Sequence, residues 1–465
     1  MRRAGALLVI TVIAASMCAQ NAGRAARART QREQERAIRQ EEARSLGIGT
    51  IRNGVTPSKT GEKLVNYDER KGGPVSPLPD PLRFDDGRRV RSVKDWKKRR
   101  LVIMEHFDRE LLGRVPKDVP AVRWRIVSTA HGEADFIDLH GKRRSIAYVT
   151  KHLAGEVNNR SYPALHVSLD MELTVPEQRA GKIPVELHMT FYAPKGYTGA
   201  PAPHAPSAME QVLARGWAFA VLYPTSFQKD SATGLREGII GLVDHGGPRK
   251  PDDWGVLRAW AWGASRAMDY LETDPDVDAT RVGIDGHSRY GKTALIAMAY
   301  DQRFRVAQVS SSGIGGAALW RRTFGEELEN IAAANEFHWM AENFLKYAAD
   351  PLHASDLPVD AHELFALCAP RFVFVGVGVS PMDGWADPKG EFLAMAAANP
   401  VYRLFGLRGV ADAHGEVNRM PPQGIALMGG RLAFRQHAWG HTQLPNWPAY
   451  LDFAQRAFDQ QSVVR

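Results

Sequence analysis

Cysteine is nearly absent from this sequence. Only Cys18 and Cys368 occur among its 465 residues, and Cys18 lies in an N-terminal segment with the character of a secretion signal. Once this signal is removed, Cys368 is left alone or nearly so. The mature chain therefore cannot be held together by a disulfide framework. The hydrophobic content of 44% beside 24% charged residues instead predicts a globular protein with a large buried core.

Apolar runs long enough to cross a membrane are also missing. Residues 7–15 are apolar and follow the charged pair Arg2-Arg3, but this run is too short for a span and is typical of a secretory signal. We predict a signal peptide over residues 1–23 and a secreted or periplasmic protein. Anchoring as a lipoprotein through Cys18 is a less favoured alternative, because Met17 is not the small residue that such a site requires.

The excess of positive charge is not gathered into one patch. The net charge is +8 and the isoelectric point about 9.4, with much of the excess in residues 24–44 and 88–100. An acidic polysaccharide would be attracted as well as nucleic acid, and we expect no nucleic-acid partner. No motif has the spacing of a metal site. Asp360, His362 and Glu363 look superficially like metal ligands, but a role in structural hydrogen bonds is favoured for them. We therefore expect neither a metal nor another cofactor.

The order of predicted elements indicates an α/β protein. After a charged, flexible segment over residues 24–65, we expect one domain over residues 66–465. Its first four strand-like runs, at 122–127, 145–151, 164–171 and 183–192, come before the alternating elements and suit an antiparallel edge. Alternation of strand and helix after residue 218 predicts a mostly parallel sheet with helices on both faces. The predicted later elements are strands 218–222, 282–284, 307–310 and 372–377 and helices 254–271 and 292–300.

A candidate nucleophile lies where one of these strands meets a helix. Gly286 and Ser288 match the G-x-S-x-G pattern of a nucleophile elbow, while the second glycine, Gly291, is displaced by one residue. A serine in an ordinary turn is the alternative. The strand before Ser288 and the helix after it favour the elbow, and with it the α/β-hydrolase fold.

In that fold the acid and then the histidine follow the serine along the chain. His441, in a loop between the last strand-like run and the terminal helix, is favoured as the base over His437 and His414. His287 is expected to line the turn and not to act as the base, because adjacent residues on a tight elbow point apart. Asp383 comes first after the strand ending near residue 377 and is favoured as the acid over Asp387, which could cap a turn before Pro388.

Several motifs in order resemble one family. They are 259–263 (AWAWG), 286–292 (GHSRYGK), 312–321 (SGIGGAALWR), 369–371 (APR) and 383–388 (DGWADP). With these motifs the sequence resembles the glucuronoyl esterases, carbohydrate esterase family fifteen, over about Asn66 to Phe453. The resemblance implies an α/β-hydrolase that cleaves esters of 4-O-methyl-glucuronate side chains of xylan with lignin-type alcohols.

The resemblance also implies roles for individual residues. Ser288 matches the nucleophile, His441 the base, and Arg289 the arginine that helps to hold the oxyanion. The residues matched to binding of the uronate are Lys292, Glu326 and Trp385. We expect a glucuronoxylan or lignin-carbohydrate ester as substrate, and a monomeric enzyme.

Two departures from the family pattern keep alternatives open. Many members have their acid glutamate where this chain has Ser311, so the triad must use Asp383, as other members do. The region 193–216 is short and rich in proline, which predicts that a central strand is missing or remodelled. A general or acetyl-xylan carboxylesterase, or a catalytically impaired carbohydrate-binding relative, are the alternative functions.

Overall fold

The computed structural model describes residues 26, 28–57, 60–61, 63–72, 76–192, 206–379 and 383–460. The predicted signal peptide and Cys18 lie outside the described residues. Within them, one ten-stranded sheet has the order β1-β2-β3-β5-β4-β6-β7-β8-β10-β9. The strands are β1 (Val122–Ile137), β2 (Arg143–Val157), β3 (Ser168–Pro176), β4 (Ile183–Met189), β5 (Ala218–Tyr223), β6 (Val277–His287), β7 (Val306–Ser310), β8 (Phe372–Gly378), β9 (Ala426–Leu427) and β10 (Leu432–His437).

The sheet is mixed and mostly parallel, as predicted. β1, β2 and β3 form an antiparallel edge, and β3 is antiparallel to β5. The prediction that β4 shares this edge is wrong, because β4 lies between β5 and β6 and is parallel to both. β6, β7, β8 and β10 continue the parallel part. Their carboxyl ends therefore meet at one edge of the sheet, where sites of open α/β sheets form.

We expected a central strand to be missing or remodelled, and the described strands show no gap in the sheet at this point. β4 and β5 pair directly, with Leu187 opposite Ala220, so the sheet is continuous from its antiparallel edge to the elbow strand. The proline-rich residues 193–205, on which that expectation rested, lie outside the described residues.

Helices cover both faces of the sheet. Alternate residues of a strand point to opposite faces. In β8, Phe374 packs with α11 while Val373 and Val375 belong to the larger core on the other face. The helices are α1 (residues 28–45), α2 (Val93–Glu110), α3 (Ala208–Leu213), α4 (Gly238–Val243), α5 (Val256–Thr273), α6 (Arg289–Tyr300), α7 (Leu328–Ile331), α8 (Ala361–Cys368), α9 (Pro388–Ala397), α10 (Asn399–Leu404) and α11 (Trp447–Asp459).

The N-terminal helix α1 is attached to the domain. We predicted a charged, flexible segment here, but Glu42 is buried and accepts a hydrogen bond from Nη2 of Arg249 at 2.9 Å. Burial raises the pKa of Glu42, although Arg249 opposes this shift. A buried ion pair across 207 residues fixes this helix on the body of the protein. No helix in the described part of the chain is long and apolar enough to cross a membrane.

Candidate active site

Ser288 occupies a strained turn between β6 and α6. Its backbone has φ 58° and ψ −126°, a conformation that costs a non-glycine residue about 1–3 kcal/mol and persists only where the surrounding structure imposes it. The two flanking glycines explain how the turn closes. A Cβ on Gly286 would collide with the carbonyl oxygen of Tyr290, and one on Gly291 would lie 2.8 Å from that of Ser310. The displaced second glycine thus still serves the close approach of helix and sheet.

His441 and Asp383 come together beside this turn. Each follows the carboxyl end of a parallel strand, β10 and β8, and Nδ1 of His441 lies 2.7 Å from Oδ1 of Asp383. The rings of His441 and His287, the neighbour of Ser288, have centroids 4.2 Å apart. The structure therefore brings the predicted base and acid together next to the predicted nucleophile.

The carboxylate of Asp383 is fully buried. Burial acts to raise its pKa, but hydrogen bonds from His441, Ser311 and the backbone N–H of Gly378 outweigh burial and lower the pKa below its ordinary value. Asp383 is therefore ionised at neutral pH and can only accept hydrogen bonds. Consequently Nδ1 of His441 carries the proton, and Nε2 is left with a lone pair.

The other candidate histidines have different surroundings. Nδ1 of His437 accepts from the backbone N–H of Trp439 at 3.2 Å, and its Nε2 lies 2.9 Å from the carbonyl oxygen of Thr442. Both ring nitrogens are thus used within the loop that carries His441. Burial and the neighbouring His441 lower the pKa of His287 to about 3, so His287 stays neutral.

Asp387 caps the start of a helix. This is the alternative to an acid role that its position before Pro388 suggested. It has φ 49° and accepts from the backbone N–H of Gly390 at 3.0 Å, at the start of α9. It also accepts from Nε of Arg322 at 2.7 Å. Both interactions hold the loop after Asp383 in place, and neither involves His441.

Arg289 is held by an acid that the sequence did not reveal. Its guanidinium forms an ion pair with Asp230 and lies 5.0 Å from the ring centroid of Trp339. Asp230 also accepts from Nε1 of Trp339 at 2.7 Å and lies 3.0 Å from Nε2 of His338. Although burial opposes it, these partners hold the pKa of Asp230 well below its usual range. No sequence motif links residues 230, 289 and 339, so only the fold could find this cluster.

The three residues matched to uronate binding also lie together. Nζ of Lys292 is 3.2 Å from Oε2 of Glu326, and both side chains are almost fully buried. The backbone N–H of Glu326 donates to the carbonyl oxygen of Trp385 at 2.9 Å. Burial and the nearby Glu326 raise the pKa of Glu336 to about 7. The backbone N–H of Lys292 donates to the carbonyl oxygen of Ser288 at 3.1 Å, so this buried polar group lies within one helical turn of the elbow.

Metal chemistry has no ligand set among the residues described. No group of three or more His, Cys, Asp or Glu side chains there is arranged to hold an ion. Oδ1 of Asp360 caps α8 through the N–H of Ala361 at 2.7 Å, and Nε2 of His362 lies 2.9 Å from the carbonyl oxygen of Pro79. These side chains serve local structure.

Comparison with known proteins places this geometry in a family. The family model for fungal glucuronyl esterases matches residues 174–406. A carbohydrate esterase of an unknown prokaryotic organism is 32% identical over 426 residues, which are 84% of this chain and 91% of that protein. The 4-O-methyl-glucuronoyl methylesterase of Schizophyllum commune is 27% identical over 392 residues, 82% of this chain and 81% of that enzyme.

A solved structure agrees with these relatives. The glucuronoyl esterase of carbohydrate esterase family 15 from Teredinibacter turnerae T7901 superposes with a TM-score of 0.82 at 41% identity, covering 91% of this chain and all of that one. The α/β-hydrolase fold and the resemblance predicted from the sequence are confirmed. This chain therefore belongs to the glucuronoyl esterases, carbohydrate esterase family 15, and is a carboxylic ester hydrolase.

Proposed function

We propose that this chain is a serine esterase that hydrolyses esters of (4-O-methyl-)glucuronate side chains of xylan with lignin-type alcohols. The observation that carries the proposal is the 2.7 Å hydrogen bond between His441 and Asp383 beside the strained Ser288. The name of the Schizophyllum commune relative, a 4-O-methyl-glucuronoyl methylesterase, supports the choice of ester.

The first half-reaction forms an acyl-enzyme. Asp383 keeps the proton of His441 on Nδ1, so Nε2 can take the proton of Ser288 as its hydroxyl attacks the ester carbonyl. Negative charge develops on the carbonyl oxygen, and the backbone N–H and guanidinium of Arg289 stabilise it. When the tetrahedral intermediate collapses, His441 gives its proton to the departing alcohol.

The second half-reaction releases the uronic acid. A water molecule attacks the acyl-enzyme while Nε2 of His441 accepts its proton. The new tetrahedral intermediate collapses, the bond to Ser288 breaks, and the serine recovers its proton from His441. The products are the free uronic acid and an unmodified enzyme.

The polar group formed by Lys292 and Glu326 beside the elbow favours a uronate on the acyl side. Lys292 and Glu326 offer a donor and an acceptor 3.2 Å apart, which suits the two vicinal hydroxyls of a sugar ring. Trp385 is partly exposed next to them and supplies an indole N–H and a flat face. Hydrolysis of acetyl groups needs no such arrangement on the acyl side. The uronate ester is therefore the first candidate, and an acetyl-xylan or general carboxylesterase is the second.

Turnover of a benzyl ester of glucuronate tests the proposal against both alternatives. We expect kcat/KM for this ester to exceed that for p-nitrophenyl acetate, once the different intrinsic reactivities are corrected by the rates with hydroxide. Equal corrected values would favour the general esterase, and binding of glucuronate without turnover would favour the impaired relative. The variant Lys292→Met is the matched control: it should lower kcat/KM for the glucuronate ester and leave that for the acetate largely unchanged.

We also propose that residues 1–23 direct export and are removed, that residues 24–65 lead into a catalytic domain over residues 66–465, and that the enzyme acts as a monomer. The charged start and the short apolar run support the first statement. N-terminal sequencing of the exported protein and its mass by light scattering test these points. Export without cleavage, or a stable dimer, would contradict them.

A further inference from the structure

A cavity at the edge of the sheet opposite Ser288 has no part in the proposed reaction. Its volume is about 410 Å³, within the range of small-molecule sites. It lies at the amino ends of β7, β8 and β10, whereas Ser288, Asp383 and His441 follow carboxyl ends. Since β8 has 7 residues and a strand rises about 3.3 Å per residue, the two sites are roughly 20 Å apart.

The lining of this cavity is strongly cationic. One acidic residue, Glu272, is found among the described lining residues. The cationic lining residues are Lys97, Arg100, Arg303, Arg305, Arg371 and Arg431. Such an excess of one charge inside a concave surface concentrates ions of the opposite charge.

Some of these cations are already compensated. Arg303 forms ion pairs with Asp269, Glu272 and Asp301. Arg100 and Arg371 donate instead to backbone carbonyl oxygens of Ala299 and Met298 near the end of α6. A helix carries partial negative charge at this end, so these two guanidinium groups have a structural role. Arg305 donates likewise to the carbonyl oxygens of Ala457 and Gln460 at the end of α11. Lys97 and Arg431 are therefore the lining cations left without a carboxylate or carbonyl partner among the described residues.

Arg431 is the more informative of these two. It is only 7% exposed, and its guanidinium lies 4.1 Å from the ring centroid of Phe372, which fixes it by a cation–π contact. No hydrogen bond or ion pair joins this guanidinium to any residue in the described part of the chain. Burial and the neighbouring Arg305 lower the pKa of Arg431 to about 10, so it is still charged at neutral pH.

Arg305 approaches the same aromatic ring. Its guanidinium is 5.9 Å from the centroid of Phe372, and its Nε donates to the carbonyl oxygen of Ala457 at 2.9 Å. Two guanidinium groups thus share one ring without a carboxylate between them. Lys97, on the exposed side of α2, adds a third positive charge at the same cavity.

We propose that this cavity binds a doubly charged oxyanion, phosphate or sulfate, either free or carried by a sugar-sized molecule. The planar fork of Arg431 matches the geometry of such an anion and can donate two parallel hydrogen bonds. Two negative charges would compensate most of the charge of Lys97, Arg305 and Arg431. The volume leaves room for a sugar ring attached to the anion.

Isothermal titration of the full chain tests this proposal. Inorganic phosphate, inorganic sulfate, glucose 6-phosphate and glucuronate are titrated at constant ionic strength set with sodium chloride. We expect the three divalent anions to bind and Arg431→Gln to weaken their binding at least tenfold. Arg419→Gln removes an exposed arginine elsewhere and should leave binding unchanged. Esterase kcat should be the same in both variants, because the cavity is remote from Ser288.

The outcomes separate the sources of the anion. Tighter binding of glucose 6-phosphate than of phosphate assigns the cavity to an anion carried on a sugar, and equal or weaker binding assigns it to the free ion. If Arg431→Gln does not fold, the exposed Lys97→Gln takes its place, with an expected weakening of about threefold or more. Three results would overturn the proposal: no binding to the wild type, equal affinity in the cavity variants, or glucuronate binding as tightly as phosphate.

Discussion

The hydroxyl of Ser311 donates a hydrogen bond of 2.9 Å to Oδ2 of Asp383. The other oxygen of the same carboxylate, Oδ1, is the partner of His441. The resemblance of the sequence implies an acid glutamate at the position of Ser311 in many relatives, and here Ser311 contacts Asp383, the acid that we propose. The hydroxyl of Ser311 thus helps to orient the carboxylate of Asp383 and acts to lower its pKa.

Replacing Asp383 and Asp387 by asparagine should give two different defects. Asp383→Asn favours the wrong tautomer of His441 and should lower kcat by about 10⁴, the effect of the same change in a serine protease. Asp387→Asn breaks the buried pair with Arg322 and should destabilise the protein by about 3–5 kcal/mol while largely retaining kcat. Steady-state kinetics and urea unfolding of both variants measure this. A low kcat in Asp387→Asn alone would make Asp383 the wrong acid.

A glutamate at position 311 should partly rescue the first of these variants. The side chain of Ser311 already touches the carboxylate of residue 383, so a longer acid placed there could reach Nδ1 of His441. We expect Ser311→Glu to raise the kcat of Asp383→Asn by at least tenfold. Ser311→Gln in the same background is the control, because it has the same length without the charge. Equal kcat values for the glutamate and glutamine variants would argue against rescue by a carboxylate.

Removal of the nucleophile should abolish hydrolysis without unfolding the protein. Ser288→Ala lacks only the hydroxyl, and we expect kcat to fall by a factor on the order of 10³ or more. The thermal unfolding midpoint and the affinity for glucuronate should change little, since Lys292, Glu326 and Trp385 are unaltered. Stopped-flow and calorimetric measurements check both statements. Near-native turnover in Ser288→Ala would remove the serine from the mechanism.

The ion pair between Arg289 and Asp230 predicts that variants of the two residues lower kcat to different extents. Arg289→Ala removes a donor to the oxyanion and should lower kcat by about 10²–10³. Asp230→Asn keeps the guanidinium but removes the charge that holds it, so we expect a smaller loss of roughly tenfold, mainly in kcat. Glu416→Gln breaks the exposed pair with Arg403 and serves as the control. An unchanged kcat in Asp230→Asn would show that Arg289 is positioned without it.

Glu391 should make stability depend on pH. Its carboxyl is fully buried, with Oε1 accepting from the N–H groups of Ser312 and Gly313, and burial raises its pKa to about 8. Between its unfolded pKa of about 4.3 and the folded value, the native state binds one more proton than the unfolded state. The free energy of unfolding therefore falls by about 1.4 kcal/mol per pH unit in this window.

The matched variant for this effect is Glu391→Gln, which has no proton to lose. Urea unfolding at pH 5, 6, 7 and 8 should show the wild type losing stability relative to Glu391→Gln as pH rises. The comparison isolates Glu391 from other buried carboxyl groups, because these occur in both proteins. Parallel stability profiles would mean that Glu391 is charged in the native state.

Most of the parallel sheet could be predicted from the chain because its signals are local. The elbow is an example, since two glycines and a serine between an apolar strand and an apolar helix specify the turn over a few residues. The order of serine, acid and histidine then favoured Asp383 over Asp387 as the acid and His441 over His437 as the base. Their roles are still predictions, and the structure adds that the two side chains are in contact.

Elements whose position depends on distant partners were predicted less well. β4 follows three antiparallel strands and reads like a fourth, but its place between β5 and β6 depends on which neighbours complete the sheet. Helix α1 is polar enough to suggest solvent, yet the buried pair of Glu42 and Arg249 attaches it, together with the packing of Ile38 against the core. Neither the position of β4 in the sheet nor the attachment of α1 can be recognised from the local pattern of residues.

The sequence by itself determined the family, the fold class and the candidates for the triad, because strand periodicity, turn glycines and short motifs act over neighbouring residues. Only the tertiary structure decided that Ser311 supports Asp383, that Asp230 holds Arg289, and that arginines from several loops line one cavity. These contacts join residues dozens to hundreds of positions apart, and their strength comes from burial, which a linear pattern does not record.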